Sequence, residues 1–246
     1  MADKKSEDLE YRCGFVALLG RPNVGKSSLI NTLLKEKVAA VSSKPQTTRN
    51  AIRCILTAEK EQIIFVDTPG IHKPKNVLGD YMVNEAGKAL AQVDLICFVV
   101  EAGDSRIGKE EELIIEILSK CGLPIVLAVN KVDKLSDPGF FWKTVEMYET
   151  RIMPAAVVPI SAKKGTNMDV FIDTLSGMLP VQPPIYPADM LMDTTERFLA
   201  AEVIREKILT FTDQEVPHGT AVVVEEFKSP EEYPELKTCE IRATIV

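Results

Sequence analysis

A chain that runs from the apolar stretch Phe15–Leu19 directly into Gly20-Arg-Pro-Asn-Val-Gly-Lys-Ser27 has few folds open to it. The run fits G-x-x-x-x-G-K-[ST], in which glycines let consecutive backbone N–H groups turn inward around phosphate oxygens. Such a loop works only between a buried strand and a helix. The helix, predicted over Lys26–Leu34, then aims the positive end of its dipole at the anion. Lys26 brings a point charge to the β/γ oxygens, the Ser27 hydroxyl suits Mg²⁺, and Asn23, Val24, Gly25 and Ser28 complete the turn around the nucleotide.

The base is read further along. Asn130-Lys-Val-Asp133 follows the apolar run Ile125–Val129, which has the character of a buried parallel strand. Guanine presents N1–H and an exocyclic amino group as adjacent donors, and one carboxylate, Asp133, accepts both as charge-assisted bonds. Adenine offers an acceptor at N1 and no amino group at C2, so it is disfavoured by the cost of unpaired buried polar groups. Asn130 is placed to bridge the base and the phosphate loop, and the stem of Lys131 to lie over the ring. Ser161-Ala162-Lys163, after Val157–Ile160, is expected to offer a backbone N–H to the guanine O6.

Between these motifs Asp67-Thr-Pro-Gly70 ends the strand-like run Ile63–Val66, where open α/β sheets place ligands. Asp67 is expected to hold Mg²⁺ through water. The Gly70 N–H can approach the γ-phosphate because no side chain blocks it. Upstream, Gln46-Thr-Thr-Arg49 lies in a polar stretch without periodicity, and Thr48, in preference to Thr47, is expected to complete the metal shell. The metal set is thus Ser27, Thr48 and Asp67. The groups expected to act on the reacting phosphate are Lys26, Thr48 and Gly70.

Strand-like runs near Phe15–Leu19, Arg53–Leu56, Ile63–Val66, Leu95–Val100, Ile125–Val129 and Val157–Ile160 alternate with helical patterns at Lys26–Leu34, Leu78–Gln92, Glu110–Lys120, Phe140–Thr150 and Asn167–Met178. The alternation predicts an α/β P-loop fold: a mostly parallel sheet, helices on both faces and one antiparallel edge pair. With 46% hydrophobic residues the 246-residue chain has ample material for such a core. Prolines 180, 183, 184 and 187 then favour an extended, semi-rigid connection. Beyond it, Asp193-Thr-Thr-Glu196 has the form of a capping box opening a helix, with Ala201, Ile204, Ile208 and Phe211 on its apolar face. Thr220–Val224 and the alternating Cys239–Ile245 read as two antiparallel strands.

Together these residues resemble the G motifs of the translation-factor-related GTPases, and Pro45-Gln-Thr-Thr-Arg49, Asp67-Thr-Pro-Gly-Ile-His-Lys-Pro74 and the stretch Glu196–Lys207 narrow the likeness to the Era-like family over most of the chain. The resemblance implies binding of GTP and GDP, hydrolysis of GTP with Mg²⁺, and action on 16S rRNA in the small ribosomal subunit through a KH domain. The polar residues 1–12, unlike a signal peptide, and the scattered cysteines lead to the expectation of a cytoplasmic protein; a monomer is expected, and peripheral inner-membrane association is a known trait of the family. Asn23 is similar to the asparagine with which related GTPases hold K⁺ near the phosphates. Where Ras-like members orient the attacking water with glutamine, this chain has Ile71, so slow turnover is expected. A nucleotide-gated binding module with negligible turnover is the alternative, and multiple-turnover phosphate release separates the two.

The expected division is a polar tail at 1–12, a GTP-binding domain at 13–179, a proline-rich linker at 180–189 and an incomplete KH-like unit at 190–246. A KH domain clamps nucleic acid with a G-x-x-G loop, and no glycine follows Gly219. Residues 1–180 hold 23 acidic and 23 basic side chains, whereas 181–246 hold 13 and 6, so the net charge of −7 belongs to the second segment. Phosphate binding needs a basic footprint. These residues are therefore expected to bind GTP but to have lost most RNA affinity. No apolar run is long enough to cross a bilayer, and five scattered cysteines without C-x-x-C spacing indicate reduced thiols rather than bridges or metal ligands.

Overall fold

The computed structural model describes residues 10–36, 38, 52–67, 90, 92–212 and 220–246. Thr47, Thr48, Gly70, Ile71 and nearly all of the helix expected at 78–92 lie outside the described residues. The first unit is a six-stranded sheet in the order β2-β3-β1-β4-β5-β6. Its strands are β1 (Arg12–Leu19), β2 (Ile52–Thr57), β3 (Glu61–Asp67), β4 (Leu95–Glu101), β5 (Ile125–Asn130) and β6 (Ala156–Pro159). All pairings are parallel except β2 with β3, the expected antiparallel edge.

Burial on both faces explains the continuous apolar runs of the central strands. Along β4, Leu95, Cys97 and Val99 face one core, which also contains Leu29, Ile30 and Leu33 of α1 (Lys26–Leu34). Ile96, Phe98 and Val100 face a second core, completed by Ile114, Ile115 and Leu118 of α2 (Lys109–Cys121) and by Val145, Tyr148 and Ile152 of α3 (Gly139–Ile152). The helix α4 (Met168–Met178) returns to the first core with Phe171 and Leu175. Phe98 and Tyr148 meet edge to face at 5.6 Å between centroids, a favoured aromatic geometry.

The proline-rich span lies along the sheet rather than leaving it. Cys13 N donates to Pro180 O and Gln182 N to Tyr11 O. Ile55 N then donates to Leu191 O and Asp193 N to Arg53 O, so the strap adds a short antiparallel bridge outside β2. Gln62, fully buried on β3, is the clamp. Its Oε1 accepts from Ile185 N at 2.8 Å and Tyr186 N at 2.9 Å, while its Nε2 donates to Tyr186 O at 2.9 Å and Thr57 Oγ1 at 3.0 Å. Tyr186 and Met190 pack beside it against Cys13, Ile55 and Ile64. Composition marked this span as a connection but not what it would hold.

The second unit joins α5 (Glu196–Phe211) to an antiparallel pair, β7 (Val222–Lys228) and β8 (Glu240–Ile245), with α5 packed along β7. Two expectations are corrected here. The helix is capped by Thr195, whose side chain accepts from Phe198 N, and not by Asp193; Asp193 accepts instead from Tyr186 Oη and Arg53 Nη1. The apolar-face assignment also fails at Phe211, which is 80% exposed, whereas Arg205, Glu206 and Leu209 are buried. Apolar spacing marked a stripe, but the covered stripe holds an intrahelical ion pair between Arg205 and Glu202.

Gln62→Ala is expected to leave the strap and strand hydrogen bonds of this amide, including the one accepted from Cys13 Sγ, unmade inside a closed site, costing about 2–4 kcal/mol. Urea unfolding of the variant beside the parent checks this.

Candidate nucleotide-binding site

The phosphate loop occupies Gly20–Gly25, between the end of β1 and the start of α1. Lys26 is buried, and its Nζ donates to Gly20 O at 2.9 Å and Arg21 O at 3.3 Å, which curls the loop around its own cation. Burial pushes the Lys26 pKa down, opposed by the charge of Asp67. No acidic side chain stands in the first turn of α1, so its positive dipole end is left for an external anion. Gly25 is required twice over. Its φ of +109° lies where side chains are strained, and a Cβ there would meet Asn130 Nδ2 at 2.3 Å. Asn23 has φ +63°, a region asparagine tolerates. Val24 is buried and Ser28 half-buried in the first turn of α1.

Asp67 ends β3 and is fully buried. Its Oδ2 accepts from Ser27 Oγ at 3.3 Å. A carboxylate and a hydroxyl side by side at the mouth of the phosphate loop are hard oxygen donors of the kind Mg²⁺ takes together with phosphate oxygens. Thr48 and Gly70, expected to complete this end, are outside the described residues.

The other end is organised by Asn130, the last residue of β5. Its Nδ2 donates to Val24 O at 2.8 Å, and its Oδ1 accepts from Lys131 N at 2.8 Å and Ala162 N at 2.9 Å. One buried amide therefore ties the phosphate loop to the two loops that follow β5 and β6. Thr32 on α1 reinforces the same junction, donating to Ala162 O at 2.6 Å. Lys131, with φ +67°, sends Nζ to Asn23 O at 2.9 Å and to Glu101 Oε2 at 2.6 Å, so its stem spans the gap between the loops. Asp133 lies in the 3₁₀ turn Val132–Lys134, and its Oδ1 accepts from Ser161 Oγ at 2.5 Å. That bond, assisted by Lys134 and Lys163, holds the Asp133 carboxyl below the usual carboxylate range.

The structure thus gathers Asn23, Val24, Gly25, Lys26, Ser27, Ser28 and Asp67 at one end of a single rim and Asn130, Lys131, Asp133, Ser161, Ala162 and Lys163 at the other. In the Ser161–Lys163 turn, the Ala162 N–H is the one bonded to Asn130 Oδ1. Sequence reasoning gave no role to Thr32, Arg21 or Glu101. A lone acid ending the apolar run Leu95–Val100 was the available signal for Glu101.

A family model described as a 50S ribosome-binding GTPase matches residues 15–131. GTPase Era of Clostridium botulinum (strain Eklund 17B / Type B) is 48% identical over 218 residues, 89% of this chain and 73% of the relative. GTPase Era of Clostridioides difficile (strain 630) is 47% identical over 219 residues, again 89% of this chain and 73% of the relative. The chain belongs to the GTPase Era family. Era of Aquifex aeolicus, solved with GDP and AlF4⁻, superposes with a TM-score of 0.87 at 36% identity, covering 95% of this chain and 78% of that one. An Era solved with MgGDPNP and nucleotides 1506–1542 of 16S ribosomal RNA gives 0.87 at 37% identity, covering 96% and 78%. This chain is therefore a member of a GTPase family with the Era fold. No helix among its described residues is long and apolar enough to cross a membrane.

The Ser161–Asp133 bond stabilises the ionised carboxylate, so the folded-state pKa lies below the unfolded one. The stability it contributes is present above the unfolded pKa and is lost as pH falls through the folded pKa. Ser161→Ala removes the main cause, and carboxyl ¹³C NMR titration should find the Asp133 pKa raised toward the ordinary value.

Proposed function

We propose that this chain binds GTP at the rim described above and hydrolyses it slowly to GDP and phosphate, as a switch in assembly of the small ribosomal subunit. The observation that carries the reading is the Asn130 clasp. It sets the phosphate loop, Asp133 and the Ser161–Ala162 turn in one frame. In this reading Asp133, kept ionised by Ser161, accepts the two guanine donors, and Asn130 and the stem of Lys131 fix the plane of the base.

At the phosphate end, Lys26 exchanges its bonds to Gly20 O and Arg21 O for phosphate oxygens. Its charge then acts in a site where water screens little. Backbone N–H groups of the phosphate loop and the first turn of α1 stabilise the remaining charge of a loose transition state as water attacks in line. Ser27 and Asp67 are the described residues that would hold Mg²⁺, with Thr48 assigned beside them. When bound, Mg²⁺ neutralises charge on the β and γ oxygens. Gly70 is assigned to sense the γ-phosphate. Ile71, having no hydrogen-bonding group, leaves the water without a side-chain partner at that position, which is why turnover is slow.

The role in ribosome assembly follows from the family. The Era solved with MgGDPNP and a 16S ribosomal RNA fragment supports 16S rRNA as the RNA partner, with residues 190–246 as part of a KH-like unit. K⁺ is assigned beside Asn23, at the open edge of the phosphate loop.

Asp133→Asn replaces the acceptor with an amide donor. Calorimetry should then find preference moved from GTP toward XTP, whose C2 carbonyl the amide suits; unchanged preference, or ATP held as firmly as GTP by the parent chain, would sink the base assignment. Single-turnover hydrolysis should run faster in KCl than in NaCl, and equal rates would remove K⁺ from the site.

A further inference from the structure

Glu101 is the last residue of β4, in register with Asn130 on β5. Its carboxylate collects cations from both nucleotide loops, with Lys134 Nζ a further one at 3.8 Å. Oε2 accepts from Arg21 Nη2 of the phosphate loop at 3.0 Å and from Lys131 Nζ of the base loop at 2.6 Å. Each arm is itself anchored. Lys131 Nζ also donates to Asn23 O at 2.9 Å. Arg21 also meets Asp104 Oδ2 at 3.0 Å and, through Nε, Glu111 Oε1 at 2.7 Å. Glu111 is buried, and its Oε2 accepts from Gly108 N at 3.1 Å at the start of α2.

We propose that Glu101 is a positioning residue that joins the phosphate loop to the base loop, and that this junction sets how long bound nucleotide stays. The proposal rests on the guanine-nucleotide reading given above. Glu101, Arg21 and Lys131 are only 21–26% exposed, so their attraction is not diluted as it is for exposed pairs. The Glu101 carboxylate is paired with Arg21, Lys131 and, through Oε1 at 3.8 Å, Lys134 Nζ, none of which is assigned to the reacting phosphate. Its effect is mechanical. A nucleotide held at both ends leaves stepwise if either loop can open alone, whereas joined loops must open together, and the difference falls on the dissociation rate. Asn130 joins the same loops through a neutral amide beneath the rim, and Glu101 does so through charge at its edge.

The experiment follows release of fluorescent GDP from the full chain by stopped flow. The parent chain should retain the nucleotide; a parent that retains none overturns the guanine reading and this proposal with it. Glu101→Gln keeps the shape of the side chain and removes its charge, and release should accelerate by about tenfold, on the order of the loss of one charge-assisted junction. Glu112→Gln, which breaks an exposed pair with Arg151 between α2 and α3, serves as the control and should stay within about twofold of the parent. Lys131→Met should accelerate release as well, and the double variant should accelerate it by less than the product of the two single effects, because the two changes share the Lys131–Glu101 contact. Release from Glu101→Gln within twofold of the parent, or effects that multiply in the double variant, overturns the proposal. Should Glu101→Gln not fold, Arg21→Gln removes the other arm and is read by the same criteria.

Discussion

One primary amide, that of Asn130, holds the site together. It is 2% exposed at the end of a strand whose residues are all buried, and its donor and acceptor ends are committed to three different loops. Inside a protein such bonds are strong, and their loss leaves buried groups without water to replace them. The amide also dictates its surroundings. Gly25 must lack a side chain because Asn130 Nδ2 occupies the space where a Cβ would stand. Lys131 adopts a left-handed conformation directly after it, which turns the chain so that Asp133 faces the Ser161 hydroxyl. The parallel sheet makes this possible, because β1, β3, β4 and β5 all deliver their carboxyl ends to the same edge.

Charge arranges the layer above the amide. Arg21, Lys131, Glu101, Asp104 and Glu111 come from both nucleotide loops, the end of β4, the segment after it and α2. Such a network costs desolvation and gives specificity of position in return. The rim of the site is therefore not a row of independent loops. It is a ring in which displacement of one cation changes the partners of the next.

Much of this was legible in the sequence, for identifiable reasons. The central strands announce themselves as unbroken apolar runs because both faces are covered, and α1 coincides with its predicted span because the phosphate-loop pattern fixes where it begins. The bridging role of Asn130 could be read because the motif fixes residue types at fixed spacing. What stayed hidden were contacts that depend on distant parts of the chain meeting. Gln62 reads as one polar residue at a strand end, and nothing local reveals that residues 185 and 186 lie against it. Asp193 and Glu196 have the spacing of a capping box, but Tyr186 and Arg53 compete for Asp193, and Thr195 takes the cap. In α5 the alternation of apolar and charged residues does not reveal which stripe is covered, since the buried one contains an ion pair that periodicity counts as surface.

The strap has a further effect on the sheet it clamps. As the outermost strand, β2 presents backbone groups in the plane of the sheet, and open edges of that kind pair readily with other chains. Leu191 and Asp193 occupy some of those groups, which blunts the edge in the middle of β2. A fragment ending at residue 179 would keep every nucleotide-site residue named above and yet lose that cover, leaving a bare rim open to self-association.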